Sequence, residues 1–269
     1  MPDGRAVAMD IVVCVKRVPE TEAGIRLKAD GSDIERSGLA YDLNDFDNYA
    51  LEEALRIKEK KQGKVTVVTV GGPESDETLR QCLAKGADAA VRCWSDDMKG
   101  SDHIGLARIL AAGVQPLNPQ LVLCGVSSED EDASVVPAAL AELLHIPSLT
   151  VVTKTDVQDS KILVHRELEG GLLANLESPL PALLSIQTGI NQPRLAALRG
   201  ILAAKSKPIT VKTSQDLGLA GKVGASVAKA KVVKLEPPPK GEGARMLTGS
   251  EDEQARQVAA LIKEKGLRR

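Results

Sequence analysis

The chain predicts a three-layer α/β/α fold built on a mostly parallel, open sheet, with an arm at its C-terminal end. Three observations carry this reading. Short, continuous apolar runs rich in β-branched residues recur along the first half; segments of helical period separate them; and Gly or Pro marks the changeovers. Runs that are apolar on both faces suit strands buried inside a parallel sheet, and repeated β-α units imply right-handed crossovers. The architecture is Rossmann-like, and sheets of this kind bind ligands beyond the carboxyl ends of their strands, near the switch in strand order.

Residues 11–15 (IVVCV), 64–70, 89–94 and 120–124 are the four buried strands. Between them, residues 45–61 place Phe46, Tyr49, Ala50, Ala54, Leu55 and Ile57 at helical spacing, with Gly63 as a stop. A second helix starts near Ser75 and ends at Gly86, a third starts near Ser101 and runs through Leu110, and a fourth covers 134–144. After Pro147, strands at 149–153, 162–168 and 182–186, separated by turn chemistry at 156–160 and Gly170-Gly171, are expected to add antiparallel members. Beyond 208 the sequence loosens, with a short strand expected at 232–236 and a linker at Pro237-Pro-Pro. A last helix opens with the capping box Ser250 to Glu253 and sets Val258, Leu261 and Ile262 on one face. The expected organisation is an α/β domain over 1–208 and an arm over 209–269 packing on another subunit.

Residues 191–207 string apolar side chains along a basic, Pro- and Gly-punctuated stretch. Two readings stay open on spacing alone. A surface turn or two over 195–202 would present Leu198, Ile201 and Leu202 to a partner's groove while Arg194, Arg199, Lys205 and Lys207 meet an acidic rim; alternatively, an amphipathic helix packs on its own core.

Composition narrows the function. The 269 residues are 43% hydrophobic and 27% charged, with a net charge of -2, which argues against nucleic acid. Four aromatic residues, Tyr41, Phe46, Tyr49 and Trp94, leave no base-stacking platform. Cys14, Cys82, Cys93 and Cys124 lack Cys-x-x-Cys spacing, so no structural metal site or disulfide framework is indicated and a reducing, cytoplasmic setting is expected. No run has membrane-span length, the first residues lack signal or transit character, and Met9 is a candidate start.

No catalytic set stands out: there is no nucleophile elbow, His-Glu-x-x-His or Cys-His arrangement. The acidic run 127–132 follows the strand at 120–124 and precedes a helix start, where the N–H groups of Ser134, Val135 and Val136 are candidates for holding a phosphate. Asp130 and Asp132 are better placed as caps or ribose partners, and Gly71-Gly72-Pro73 offers a second close-approach site. These edges point to an adenosine-type nucleotide pocket without machinery for cleavage.

Six motifs then fall in one order: Val13-Cys-Val-Lys-Arg-Val-Pro-Glu20, Leu43-Asn-Asp-Phe46, Ala50-Leu-Glu-Glu-Ala54, Gly86-Ala-Asp88, Arg166-Glu-Leu-Glu-Gly-Gly171 and Asn191-Gln-Pro-Arg194. Together they resemble the beta subunit of electron-transfer flavoprotein over nearly the whole chain. The resemblance implies an alpha subunit holding most of an electron-carrying FAD, with AMP in the beta subunit or, in bifurcating members, a second FAD. It implies an acyl-CoA dehydrogenase-type donor, a quinone oxidoreductase-type acceptor and no independent catalysis. Residue by residue, it implies that Cys14, Asn44, Gly71, Gly72, Gly125, Asp130, Asp132, Ala133, Ser134, Val135 and Val136 surround the nucleotide. Thr21 and Phe46 would face the flavin, Glu167 would meet the flavin domain, and Leu198, with Arg199, Ile201 and Leu202, would anchor a recognition loop. AMP-type members carry Asn-Gln-Thr-Gly where this chain has Ser134-Val-Val-Pro137, and the bifurcating pattern differs as well, so phosphate binding would rest on backbone donors. Two rivals, a pyrophosphate-loop ATP enzyme and a stand-alone nucleotide-binding stress protein, share the architecture; the first needs a Ser-Gly-Gly-x-Asp-Ser loop, and the second lacks a docking finger and a long arm.

Overall fold

The structure, a computed structural model, describes residues 8–20, 24–239, 241 and 243–266. A nine-stranded sheet forms its middle layer. The strands are β1 (Ile11–Cys14), β4 (Val65–Val70), β5 (Ala89–Cys93), β6 (Leu121–Gly125), β7 (Ser148–Val157), β8 (Lys161–Glu167), β9 (Leu173–Pro179), β10 (Ala182–Ile186) and β11 (Ile209–Lys212), with a small separate pair, β2 (Arg17–Pro19) and β3 (Tyr41–Leu43). Their order across the main sheet is β11-β5-β4-β1-β6-β10-β7-β8-β9. All neighbours from β11 to β7 run parallel; β7, β8 and β9 are antiparallel.

Six helices flank or follow the sheet: α1 (Asp45–Lys61), α2 (Asp76–Lys85), α3 (His103–Val114), α4 (Val136–Leu144), α5 (Leu198–Ser206) and α6 (Glu251–Glu264). One face of the sheet packs Ile11, Val13, Val65, Val67, Leu121 and Leu123 against α1 and α2, and the other packs Val12, Val68 and Val122 against α3 and α4. The alternation follows from the period-two pleat: successive apolar residues on one strand serve opposite layers. Helix α1 carries Asp45 and Asp47 in its first turn and Lys58, Lys60 and Lys61 in its last, complementing the helix dipole.

Four segments depart from the sequence reading. The run 182–186, expected among the antiparallel additions, is parallel: β10 inserts between β6 and β7, parallel to both, and is buried throughout. The stretch after the Gly170-Gly171 turn, assigned to no element in the sequence reading, forms β9. Residues 209–212, read as the start of the arm, form β11 at the sheet edge beside β5. The strand expected at 232–236 is absent; the segment is extended, and the Leu235 N–H donates to the Gly31 carbonyl at 2.8 Å. Between β11 and that point the chain is tied to the domain by Ser214 N to Ser95 Oγ (2.9 Å), Gly224 N to Ser101 Oγ (2.8 Å) and Lys229 N to Asp102 Oδ2 (2.7 Å). Helix α6 has the expected capping box and buries no residue.

Candidate functional site

The chain proceeds from β1 through α1 to β4 and β5 on one side, then crosses back through α3 to β6 on the other side of β1. The order therefore switches between β1 and β6, and a cleft of about 750 Å³, its open mouth included, lies at their carboxyl ends. That position suits a small-molecule site. Its apolar wall is made by Val15, Val70, Leu106, Leu110, Val126, Val135 and Val136. Cys14 and Cys124 sit side by side in its floor, and the contact between their thiols, together with burial, pushes Cys124 well above the usual thiol range.

Asp47 fixes the geometry beneath the cleft. One carboxylate oxygen accepts the Gly125 N–H at 2.8 Å and the other the Lys16 N–H at 2.8 Å, so one side chain clamps the ends of both central strands. Burial pushes its pKa up to about 7 despite those N–H donors. Gly125 is required by this closeness: a Cβ there would lie 2.5 Å from the Phe46 Cβ and 2.6 Å from Asp47 Oδ1. Asn44, buried just before α1, donates to the Ser127 carbonyl at 2.9 Å and accepts from the Glu129 N–H at 3.2 Å, which pins the acidic loop over the cleft.

That loop folds onto Lys16. Its ammonium donates to Ser128 Oγ at 3.2 Å, Asp130 Oδ1 at 2.7 Å and Glu131 Oε2 at 2.9 Å. His103 Nε2 lies 3.4 Å from Glu131 Oε2. Asp132 accepts from Ser127 Oγ at 2.6 Å, and both Asp132 and Ser134 are left-handed, at φ 45° and 52°. The helix beyond begins at Val136, with Pro137 in its first turn.

Of the residues expected around a nucleotide, Cys14, Asn44, Gly125, Ala133, Ser134, Val135 and Val136 are brought together on this wall. Asp130 and Asp132 are not part of it, because their carboxylates turn to Lys16 and Ser127. Gly71 and Gly72 are not part of it either. Their neighbours are Ser75 and Glu74 of the turn leading into α2, and that tight turn accounts for both glycines. Thr21 lies outside the described residues. Phe46 is half-buried in the first turn of α1. Glu167 is exposed at the end of β8, accepting from Gln187 Nε2 at 3.4 Å, beside Val151, whose φ of 55° is an uncommon strain for a β-branched residue.

The 191–207 stretch combines both readings left open by its sequence. Residues up to Ala197 are irregular, and α5 starts at Leu198, later than expected and running further. Its inner side packs on α2 through Gly200, next to the Ala84 carbonyl, and buried Ala204. Arg80 Nη1 donates to the Ala204 carbonyl at 2.5 Å and the Lys207 carbonyl at 2.7 Å. Leu195, Leu198, Ile201 and Leu202 stay exposed, Leu198 at 73%. Arg199 and Lys205 are exposed as well, but Arg194 is held by Glu52 and Glu59, and Lys207 by the Ala87 carbonyl, so neither of these is available to an external rim.

Comparison with protein families matches the electron transfer flavoprotein domain over residues 32–217. The electron transfer flavoprotein subunit beta of Methylophilus methylotrophus is 41% identical, the match covering 95% of this chain and 98% of that protein. The chain belongs to the electron transfer flavoprotein family. The subunit beta of Bacillus subtilis is 34% identical over 95% of this chain and 98% of its own length. A caffeyl-CoA reductase-Etf complex subunit, CarD, of Acetobacterium woodii is 35% identical over 96% and 99%.

Membership assigns the chain to electron transfer. Sequence reasoning did not assign Lys16, Asp47 and His103 to the site, and all three line the cleft. Lys16 stood inside a quoted motif, yet nothing local tells whether a lysine there points to solvent or to a loop 112 residues away. Asp47 reads as an ordinary first-turn acid, and only the convergence of β1 and β6 buries it. Among the described residues no helix is long and apolar enough to cross a membrane.

Proposed function

We propose that this chain is the beta half of a two-subunit electron carrier whose alpha subunit holds FAD. It receives electrons from an acyl-CoA dehydrogenase-type flavoenzyme and delivers them to a quinone-linked acceptor. The flavin, when bound, supplies the electron chemistry; this chain supplies position and selects who approaches. The observation that carries the reading is the α5 ridge. Leu195, Leu198, Ile201 and Leu202 are exposed on a segment fixed from beneath by Arg194, Gly200 and Ala204, and large exposed apolar side chains on a rigid base suit a docking surface. Helix α6, capped but without a buried residue, supports an arm that finds its core on the alpha subunit. The cleft between β1 and β6 is read as the family's structural nucleotide site.

Co-expression with the alpha partner tests the assignment. A flavin-containing heterodimer reduced by a dehydrogenase is expected; no flavin absorbance in any such complex would refute it. Within that complex Leu198→Ala should cut reduction by the dehydrogenase about tenfold at unchanged flavin content, as loss of a buried apolar anchor does. Unchanged coupling would remove Leu198 from the role.

A second reading draws on the Acetobacterium woodii relative, which by name works in a reductase complex. In that reading the donor is replaced by a CoA-thioester reductase and the chain is of the bifurcating type with a second FAD. Two FAD per heterodimer would favour it over the first.

A further inference from the structure

Residues 126–135, between β6 and α4, belong to neither helix nor strand and form one wall of the cleft through Ser127, Ser128, Glu131, Ala133 and Ser134. The loop is fastened in two unlike ways. At its root, Asn44, 1% exposed, donates to the Ser127 carbonyl and accepts from the Glu129 N–H, so that end is held by buried groups. At its tip the ties are ionic and open to water. The Lys16 ammonium reaches from the end of β1 to Ser128, Asp130 and Glu131, three acceptors for its three hydrogens, and His103 at the start of α3 lies against the same Glu131 oxygen. Glu131 is 50% exposed and Lys16 35%. Exposed ion pairs are individually weak and screened by salt, so the tip can lift while the root stays in place. Asp132 and Ser134, at φ 45° and 52°, hold left-handed conformations uncommon outside glycine, and they lie where a lifted tip would swing from α4.

We propose that residues 130–134 are a lid on the cleft and that Lys16 is its latch, a positioning residue that sets how fast nucleotide enters and leaves. Lys16 follows β1 and the loop follows β6, so its bonds tie the two sides of the cleft together and the mouth widens when they break. Opening lowers one barrier for entry and exit alike, and the latch therefore governs the rate of exchange more than the affinity. The inference rests on the reading of the cleft as the family's nucleotide site and leaves the ligand of that site as it is.

The test uses the purified heterodimer loaded with isotope-labelled AMP, or with FAD if the complex carries two flavins, and chased with the unlabelled nucleotide; capture by the stripped heterodimer is measured alongside. Raising ionic strength from about 0.01 M to about 0.15 M should speed release and capture together, because screening weakens the latch. A site that merely attracts phosphate would release faster and capture more slowly. Lys16→Met should raise both rates about tenfold while Kd changes by less than about twofold. Asp130→Asn combined with Glu131→Gln should do the same, and joining all three substitutions should add nothing further, since each set breaks one latch. Faster release alone, with weaker binding, would make Lys16 a ligand contact and overturn the lid. Rates indifferent to salt in the wild-type complex would overturn it too, and that result needs no variant to fold. A heterodimer that holds its flavin but takes up neither AMP nor a second FAD refutes the nucleotide reading instead. The lid is then read from amide exchange at Glu129 and Asp132, whose N–H groups have acceptors: faster exchange in Lys16→Met supports it, and unchanged exchange overturns it.

Discussion

Arg194 grips Glu52 with two parallel bonds, Nε to Oε2 at 2.8 Å and Nη2 to Oε1 at 3.0 Å, and its remaining nitrogen reaches Glu59 at 2.6 Å. Glu52 is a buried residue of α1, so the clamp fastens the docking segment to the helix that also carries Asp47. Glu52 first, and then Glu59, hold the guanidinium pKa above its ordinary value, while Arg194 draws Glu59 below the usual carboxylate range. Asn191 adds bonds to the Tyr49 carbonyl at 3.1 Å and Glu53 at 3.0 Å.

Removing the guanidinium should cost more than a surface ion pair. Arg194→Ala leaves Glu52 buried without its partner, and a loss of about 2 kcal/mol is expected, below the fully buried range because Arg194 is partly exposed. Arg194→Lys should recover only part, since one ammonium cannot reproduce the fork. Urea unfolding reads both.

Gly200→Ala tests whether α5 is seated or merely adjacent. The added methyl would drive into the Ala84 carbonyl of α2, and backbone cannot move aside as a side chain tip would. A destabilisation of about 1–3 kcal/mol is expected, accompanied by weaker donor coupling. Leu198→Ala, at an exposed position, should alter stability by less than about 0.5 kcal/mol.

Asp47 gives stability a pH signature. Its folded pKa of about 7 lies above the unfolded carboxylate value of about 4, so the folded state binds the extra proton between those limits. The contribution is complete below about pH 4 and is lost as pH rises to about 7, at most about 3–4 kcal/mol across the window. Asp47→Asn should flatten stability against pH over that interval. An unchanged slope would show that Asp47 does not titrate there.

Helix α6 should be the least protected helix of the isolated chain. It rests on the Ser250–Glu253 box, with Glu253 N to Ser250 Oγ at 3.4 Å and Ser250 N to Glu253 Oε2 at 2.8 Å, and has no core of its own. Amide exchange across Glu251–Glu264 is expected to be fast alone and slowed by the alpha partner. Ser250→Ala should weaken the helix by about 1 kcal/mol.

The quoted motifs were legible for reasons now visible. In Gly86-Ala-Asp88, Asp88 pairs with Lys58 at 2.7 Å and caps the Val65 N–H at 2.8 Å; in Asn191 to Arg194, both end residues bond to α1. Those contacts need particular side chains at particular spacings, so they leave a mark on the sequence. The glycines at 71 and 72 left the same kind of mark for a different reason, a tight turn, and sequence spacing does not distinguish the two.

The linear chain by itself determined the four central strands of the first half and the helices between them, but not the β2–β3 pair, because continuous apolar runs and helical periodicity are local consequences of burial on two faces or one. It also set the capped terminal helix, whose box spans four residues. Only the tertiary structure decided that β10 enters the middle of the sheet, that β9 and β11 pair at its edges, and that Lys16 is neutralised by a distant loop. Pairing partners, burial of Asp47 and the saturation of an ammonium depend on which segments converge, and residues 31 to 114 positions apart carry no mutual signal until the sheet brings them within hydrogen-bonding distance.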